Sequence, residues 1–321
     1  GLPAAVTVTL AIGVNRMAGR HAIIRKLPAV EALGSTTVIC SDKTGTLTQN
    51  KMRVQGISAG GEAYDIVAEG NKGFKISRAG QAAVMGEHPV LRECVRSGVL
   101  CNDSHLREKD GELETSGDPT ELALLELALR TGLERQAIEE EKPRADTIPF
   151  ESEKQFMATL HRGGSSKESV VYLKGSLEAL LDRIEYSMDR DGNRSAFDAE
   201  SVKEQADAMA KNGLRVLAFA KKHISGDKHT LDEEDVSSGL VFLGTMGMMD
   251  PPRPEAIEAV KAAQSAGVKV KMVTGDHVQT ARAIAEKMGI IREDNEKAYN
   301  GKEISGMSDE ELVSAASEGG V

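Results

Sequence analysis

The 321-residue sequence contains no tryptophan, and aromatic residues make up only 3% of it. Few rings are therefore available to stack on bases. Lysine and arginine number 40 against 50 aspartates and glutamates, a formal charge of -10, and the basic residues form no dense run. A nucleic-acid binder needs a basic face to neutralise phosphates, so that class is excluded. Cysteine is scarce as well. Cys40, Cys94 and Cys101 form neither a CxxC pair nor a disulfide framework, which points to a reducing, cytoplasmic setting. Cys94 and Cys101 stand seven apart, on one face of a helix, and read as core. There is no internal repeat or low-complexity segment. The uncharged opening, residues 1–14, is too short to cross a bilayer, which takes about 20 apolar residues. It is not the core of a signal peptide either, because its basic residues follow the apolar run instead of preceding it.

What the sequence does have is 40% hydrophobic residues, enough for a substantial core, and a length that suggests about two domains. The rest of the chain is organised around Cys40-Ser41-Asp42-Lys43-Thr44-Gly45-Thr46-Leu47-Thr48. Thr37, Val38, Ile39 and Cys40 are β-formers and read as a buried strand that runs into Asp42. The carboxylate is thus presented in a loop rich in hydroxyls and amides. An aspartate is ordinarily ionised at pH 7, so as a nucleophile it needs no base. It needs only neutralisation of an incoming phosphate, which Lys43 and a hard cation would supply. Four residues of this kind alone would fit a polar turn and helix cap equally well; the seven from Asp42 to Thr48 are far more specific.

After Asn50, glycines 56, 60, 61, 70, 73 and 80 punctuate short alternating runs such as residues 52–57, which predict strands and hairpins in a new domain. A helix is expected at residues 94–101. Asp118-Pro119-Thr120-Glu121 predicts another helix start, with Asp118 at the N-cap and Glu121 three beyond it. Leu122, Leu125 and Leu129 would form its inner face, with Ile138 also in the core. Strands are expected at 147–150, 156–160, 169–173, 214–220 and 240–246, with Lys174-Gly175 closing the third of these. Many strands with few helices imply an antiparallel α+β domain. Past Asp250-Pro251-Pro252-Arg253-Pro254 the pattern becomes α/β: helix 255–266, strand 268–273, the turn Thr274-Gly275-Asp276, and helix 278–288. The turn sits where such a sheet binds phosphate, although Asp276 would equally cap its helix. The economical architecture pairs residues 37–42 with 268–273 in one Rossmann-like α/β sheet and inserts about 200 residues between them.

The string Asp42-Lys43-Thr44-Gly45-Thr46-Leu47-Thr48 matches the phosphorylation signature of the P-type cation-transporting ATPases, and the chain resembles that family, within the haloacid-dehalogenase-like proteins, over essentially its whole length. The resemblance implies four parts: the end of the fourth membrane helix and its stalk at 1–24, the first part of the phosphorylation domain at 25–50, an inserted nucleotide-binding domain at 51–249, and a second, incomplete part of the phosphorylation domain at 250–321. Arg16, Arg20, Arg25 and Lys26 fit the positive-inside pattern, with lipid around residues 1–20 of a multi-pass protein whose described portion faces the cytoplasm. Residues 27–34 and 250–253 favour a calcium-pump-like subtype.

By the same resemblance, Asp42 attacks phosphorus, Lys43 and Thr44 accompany it, and Thr44 replaces the second aspartate with which phosphatases hydrolyse the intermediate. Thr274, Gly275 and Asp276 serve the transferring phosphoryl group. Mg²⁺ is implied as cofactor, held by the Asp42 carboxylate and the Thr44 carbonyl, with ATP as substrate and a cation as cargo. For the nucleotide, the family implies Phe150 stacking on the base, Lys174 and Gly175 lining the adenine pocket, Glu121 near the adenine edge, Arg215 reaching the phosphates, and Asp250 and Arg253 in the hinge. Read without the family, Phe150 would be core packing, Lys174 and Arg215 solvated strand ends, and Glu121 a cap. Lys154-Gln155 departs from the basic pair common in the family. The family's later Thr-Gly-Asp-Gly-X-Asn-Asp loop does not occur in the sequence, so turnover by these residues alone is not expected. The rival readings are a haloacid-dehalogenase phosphatase with a large cap domain and a non-catalytic nucleotide-binding module.

Overall fold

The computed structural model describes residues 1–26, 28–68, 74–109, 112–163, 168–225, 228–292 and 297–321. Leu27, Gly70 and Gly73, each used in the sequence reading, lie outside them. The chain divides into two compact units: Gly1–Leu47, Pro252–Gly275 and Ala285–Val321 form the first, and Thr48–Pro251 with Asp276–Ile284 the second.

In the first unit, α1 (Leu2–Ala18) and α2 (Pro28–Gly34) lead into β1 (Val38–Asp42). Among the described residues, no helix is long and apolar enough to cross a membrane. The sequence marks β1 as a buried strand, but Val38 and Ile39 are 39% and 42% exposed. The reason is pairing. Among the described residues β1 has one strand partner, the parallel β15 (Lys269–Val273), in a two-stranded sheet. Helix α8 (Pro254–Ser265) packs on β15 and is followed, after its cap Ala266, by Gly267, whose positive φ reverses the chain into that strand.

The second unit is built on an eleven-stranded sheet with the order β5-β4-β3-β2-β14-β13-β10-β9-β8 and β11-β12 branching from β14. In chain order these are β2 (Arg53–Ala59), β3 (Glu62–Ala68), β4 (Phe74–Arg78), β5 (Gln81–Ala82), β8 (Arg144–Glu151), β9 (Phe156–Arg162), β10 (Glu168–Gly175), β11 (Ile184–Met188), β12 (Arg194–Ala196), β13 (Arg215–Ser225) and β14 (Leu240–Met249). A separate hairpin joins β6 (His105–Lys109) and β7 (Glu112–Ser116). All pairs in the large sheet are antiparallel except β11 with β14.

Alternation of side chains along the strands makes two cores. On one face α3 (Pro89–Leu100) and α4 (Pro119–Arg130), with α5 (Arg135–Glu141) beside them, bury Leu91, Cys94, Leu124 and Leu127 against Met157, Tyr172 and Phe219. On the other, α6 (Leu177–Leu181) and α7 (Ala199–Lys211) cover Phe156, Leu160, Val171 and Leu173. Cys94 and Cys101 are both buried, but Cys101 is the residue that ends α3. The inner face of α4 is also shifted from the sequence reading. Ala123, Leu124, Leu125, Leu127 and Ala128 are buried, whereas Leu122 and Leu129 lie at its margins.

Candidate functional site

One end of the second unit opens into a cavity of about 520 Å³, lined by side chains from α4 and from β8, β9, β10 and β13. Its floor is polar and buried. Asp118 caps α4, accepting from Thr120 N at 2.8 Å and Glu121 N at 3.2 Å. Glu121 does not reach back to that cap, as the sequence pattern suggests. Its carboxylate accepts from Asp103 N (3.0 Å), Ser104 N (2.9 Å) and Ser104 Oγ (2.8 Å), and it pairs with Lys174. The Lys174 and Glu121 side chains are only 8% and 14% exposed. A buried charge is tolerated when it is paired and its remaining sites are hydrogen-bonded, and here both conditions hold. Lys174 is therefore no solvated strand end. Of its three donors one goes to Glu121, and the other two have no partner among the described residues.

The wall beside this floor is the segment 102–104, where α3 has just ended. Arg144 donates to the carbonyls of Leu100 (2.9 Å) and Asn102 (2.6 Å) and to Asp103 Oδ1 (2.6 Å). Arg135 holds the Ser104 carbonyl at 2.5 Å. Arg144 thus satisfies a carbonyl that the helix end leaves open, and both guanidiniums hold carbonyls of the segment that follows it. The apolar lining comes from Met157, Val216 and Leu217. Phe150 lies at the lip and is 57% exposed, so it is not core packing. Arg215 lines the cavity, is exposed, and makes no ion pair among the described residues.

Gly175 has a steric reason to be glycine, because a Cβ there would collide with the Gln155 carbonyl oxygen. Ser176 N donates to that oxygen at 3.0 Å. Lys154 is turned to Glu151 (3.0 Å) and Glu233 (2.7 Å) and does not line the cavity. Neither do Asp250 and Arg253. In the second unit Asp250 accepts from Thr48 Oγ1 at 2.6 Å and Lys51 N at 3.1 Å. In the first unit Arg253 N donates to Leu47 O at 2.9 Å and its guanidinium to Gly45 O at 3.2 Å. Both brace the strands of chain that enter and leave the second unit.

The sequence reading missed Asp103, Ser104, Gly117, Gln155, Met157, Ser176, Val216 and Leu217 of the lining. Polar residues just after a helix, as at 102–104, were the available signal for the first two. Met157, Val216 and Leu217 reach the cavity through strand register, and Gly117, Gln155 and Ser176 from the turns beside β7, β9 and β10, none of which the sequence displays.

In the first unit, β1 ends at Asp42, and the register pairs Asp42 with Val273. Thr274 and Gly275 follow Val273 directly, so they leave the same end of the parallel pair as the carboxylate. The loop after Asp42 turns through Gly45 at φ 74°, a left-handed conformation suited to glycine, and Thr44 N donates to Asp42 Oδ1 at 3.3 Å. Asp42 and Thr44 are exposed, whereas Lys43 is buried. Asp276 falls in the second unit, just before α9 (Val278–Lys287). No cluster of three or more His, Cys, Asp or Glu arranged for a metal occurs among the described residues. The exposed Asp42 carboxylate and Thr44 carbonyl are hard oxygen donors, the type that Mg²⁺ accepts while keeping several waters.

Residues 90–255 match the family model described as P-type ATPase, cytoplasmic domain N. The chain belongs to the P-type ATPases. It is 51% identical, over 98% of its length, to the cation-transporting ATPase pma1 of Synechocystis sp., of which it covers 35%. It is 41% identical to the probable cation-transporting ATPase F of Mycobacterium tuberculosis, over 95% of the chain and 34% of that protein. The calcium-transporting ATPase of Bacillus subtilis is 38% identical over 97% of the chain and 35% of its own length. The chain thus spans about a third of the length of these P-type ATPases.

Proposed function

We propose that this chain is the ATP-binding and phosphorylation portion of a cation pump that works through an aspartyl-phosphate on Asp42. The observation that carries the reading is the parallel register of Asp42 with Val273, because it brings a nucleophilic carboxylate and the Thr274-Gly275 turn to one end of a sheet. Ligands of α/β sheets bind at the carboxyl ends of strands, where backbone amides and hydroxyls can hold a phosphoryl group. In this account the Asp42 oxygen bonds to the γ-phosphorus of ATP as the bond to the β,γ-bridging oxygen breaks, and ADP departs. Lys43 and the Thr274 hydroxyl offset charge on the phosphoryl oxygens. Mg²⁺, held by Asp42 and the Thr44 carbonyl, would supply further neutralisation of those oxygens. Thr44 has no carboxyl with which to activate water, so the intermediate persists for coupling to ion movement. A doubly wound, haloacid-dehalogenase-like completion of the β1–β15 sheet belongs to the same proposal.

The cavity of the second unit takes the nucleoside. Its apolar lining and exposed Phe150 suit a base, and Lys174 offers it donors. The cation, which would be calcium on the subtype resemblance, is the cargo. Titration of the chain with ATP tests the binding half of this function. Stacking on an aromatic ring is worth about 1 to 3 kcal/mol, so Phe150→Ala is expected to weaken ATP about tenfold or more. Equal affinity in the two proteins would remove Phe150 from the site.

A further inference from the structure

Gln155 is one of four non-glycine residues with positive φ among the described residues, at 57°, and it is the one that lines the cavity. Left-handed backbone is costly for a residue with a Cβ and is uncommon for glutamine, whereas glycine adopts it freely. Such strain concentrates at functional sites, held there by the structure around it. The surroundings here over-determine the residue. Gln155 N donates to Glu151 O at 2.8 Å, its carbonyl accepts from Ser176 N at 3.0 Å, and Gly175 leaves the room that this approach requires.

The side chain is fixed as well. Ser176 Oγ donates to Gln155 Oε1 at 3.0 Å, while Ser176 is itself held at the start of α6, where its Oγ accepts from Ala179 N. With Oε1 engaged, the two Nε2 hydrogens are the part of the amide with no partner among the described residues. They are donors only, and they carry no charge. Depth decides what they would meet. Met157, Lys174 and Glu121 form the interior of the cavity, whereas Gln155 and Arg215 are exposed at its rim. A nucleotide seated base-inward therefore turns its sugar and phosphates toward Gln155. Lys154, the neighbouring cation, is committed to Glu151 and Glu233.

Building on the nucleotide reading above, we infer that Gln155 is a specificity-determining residue that donates its amide to an oxygen of the sugar–α-phosphate portion. The rim then recognises the nucleotide with one cation, Arg215, and one neutral donor. Because AMP and ATP share that portion, Gln155 contributes alike to both, and any preference for the longer phosphate chain falls to Arg215. Gln155→Gly separates this role from a structural one, because glycine accepts the same backbone without strain.

The experiment is calorimetric titration of the 321-residue chain with AMP and ATP, alongside melting curves, for wild type, Gln155→Gly and Gln155→Lys. The expected result is that Gln155→Gly keeps or raises the wild-type melting temperature yet binds both nucleotides about three- to tenfold more weakly, the range of a lost hydrogen bond. Gln155→Lys should favour ATP over AMP more than wild type does, with a steeper dependence on salt. Unchanged affinity in Gln155→Gly overturns the inference while leaving the nucleotide site intact. A drop in affinity accompanied by an equal loss of stability overturns it too, by making Gln155 structural. A wild type that binds neither nucleotide refutes the nucleotide reading itself.

Discussion

At the scale of single residues, the most consequential arrangement is Glu121 with Lys174. Glu121 serves four donors: two backbone amides, the Ser104 hydroxyl and the Lys174 ammonium. Removing it leaves a buried cation and takes the acceptor from Asp103 N and the Ser104 hydroxyl, while Ser104 N keeps Asn102 Oδ1 at 2.9 Å; breaking such a pair typically costs about 3 to 5 kcal/mol. Glu121→Ala should therefore lower unfolding stability by about that amount in a urea titration, beyond any effect on nucleotide. A loss below about 1 kcal/mol, as for a surface pair, would contradict the buried geometry. The sequence made both residues visible but not their partnership. Asp118-Pro119-Thr120-Glu121 has the spacing of a capping box, and the local pattern was half realised, since Asp118 does cap the helix. The Glu121 carboxylate went elsewhere because segment 102–104, 17 residues upstream of it in the case of Ser104, offers three donors at once. Long-range competition of that kind leaves no trace in spacing.

At the scale of elements, β9 shows how the sheet fixes a titratable group. His161 is buried at the end of the strand, with Nδ1 2.9 Å from the Lys142 carbonyl, Nε2 3.0 Å from Thr159 Oγ1, and its ring edge-on to Tyr172. Burial, reinforced by the nearby Arg144 charge, pulls its pKa down to about 4 despite the opposing Lys142 hydrogen bond. In the unfolded chain the same imidazole titrates near 6.5. The folded state thus binds a proton less readily. The stabilisation is complete above pH 6.5 and is lost as pH falls toward 4, by about 3 kcal/mol in all. Denaturation at a series of pH values should show this limb in wild type and a flatter one in His161→Gln. Identical limbs would mean that His161 is not held neutral.

Most elements were legible beforehand, because period-two runs such as 156–160 and caps such as Asp118 are local signals. The burial of β1 was not, because an apolar strand looks the same whether its faces are covered or open. Strand order was equally hidden. The pairing of β14 with β2 and β11 joins segments far apart in the chain.

At the scale of the molecule, the cavity and the aspartate loop occupy different units of one chain, and Thr48–Pro251 of the second unit lies between β1 and β15 of the first. The sequence changes texture at Asn50 and again at Asp250-Pro251-Pro252. The connecting segments are braced on both sides, by Thr48 with Asp250 and by Arg253 with Gly45 and Leu47. Separate units suit a reaction in which one part holds the nucleotide and another accepts its phosphoryl group, and catalysis then rests on positioning and neutralisation.

The most direct test replaces the corresponding third of the Synechocystis relative with this chain, incubates the membranes with γ-labelled ATP and Mg²⁺, and quenches in acid. The account predicts an acid-stable, hydroxylamine-sensitive label that maps to Asp42 and disappears in Asp42→Asn. A label that survives Asp42→Asn, or no label from a chimera that still binds ATP, would contradict it.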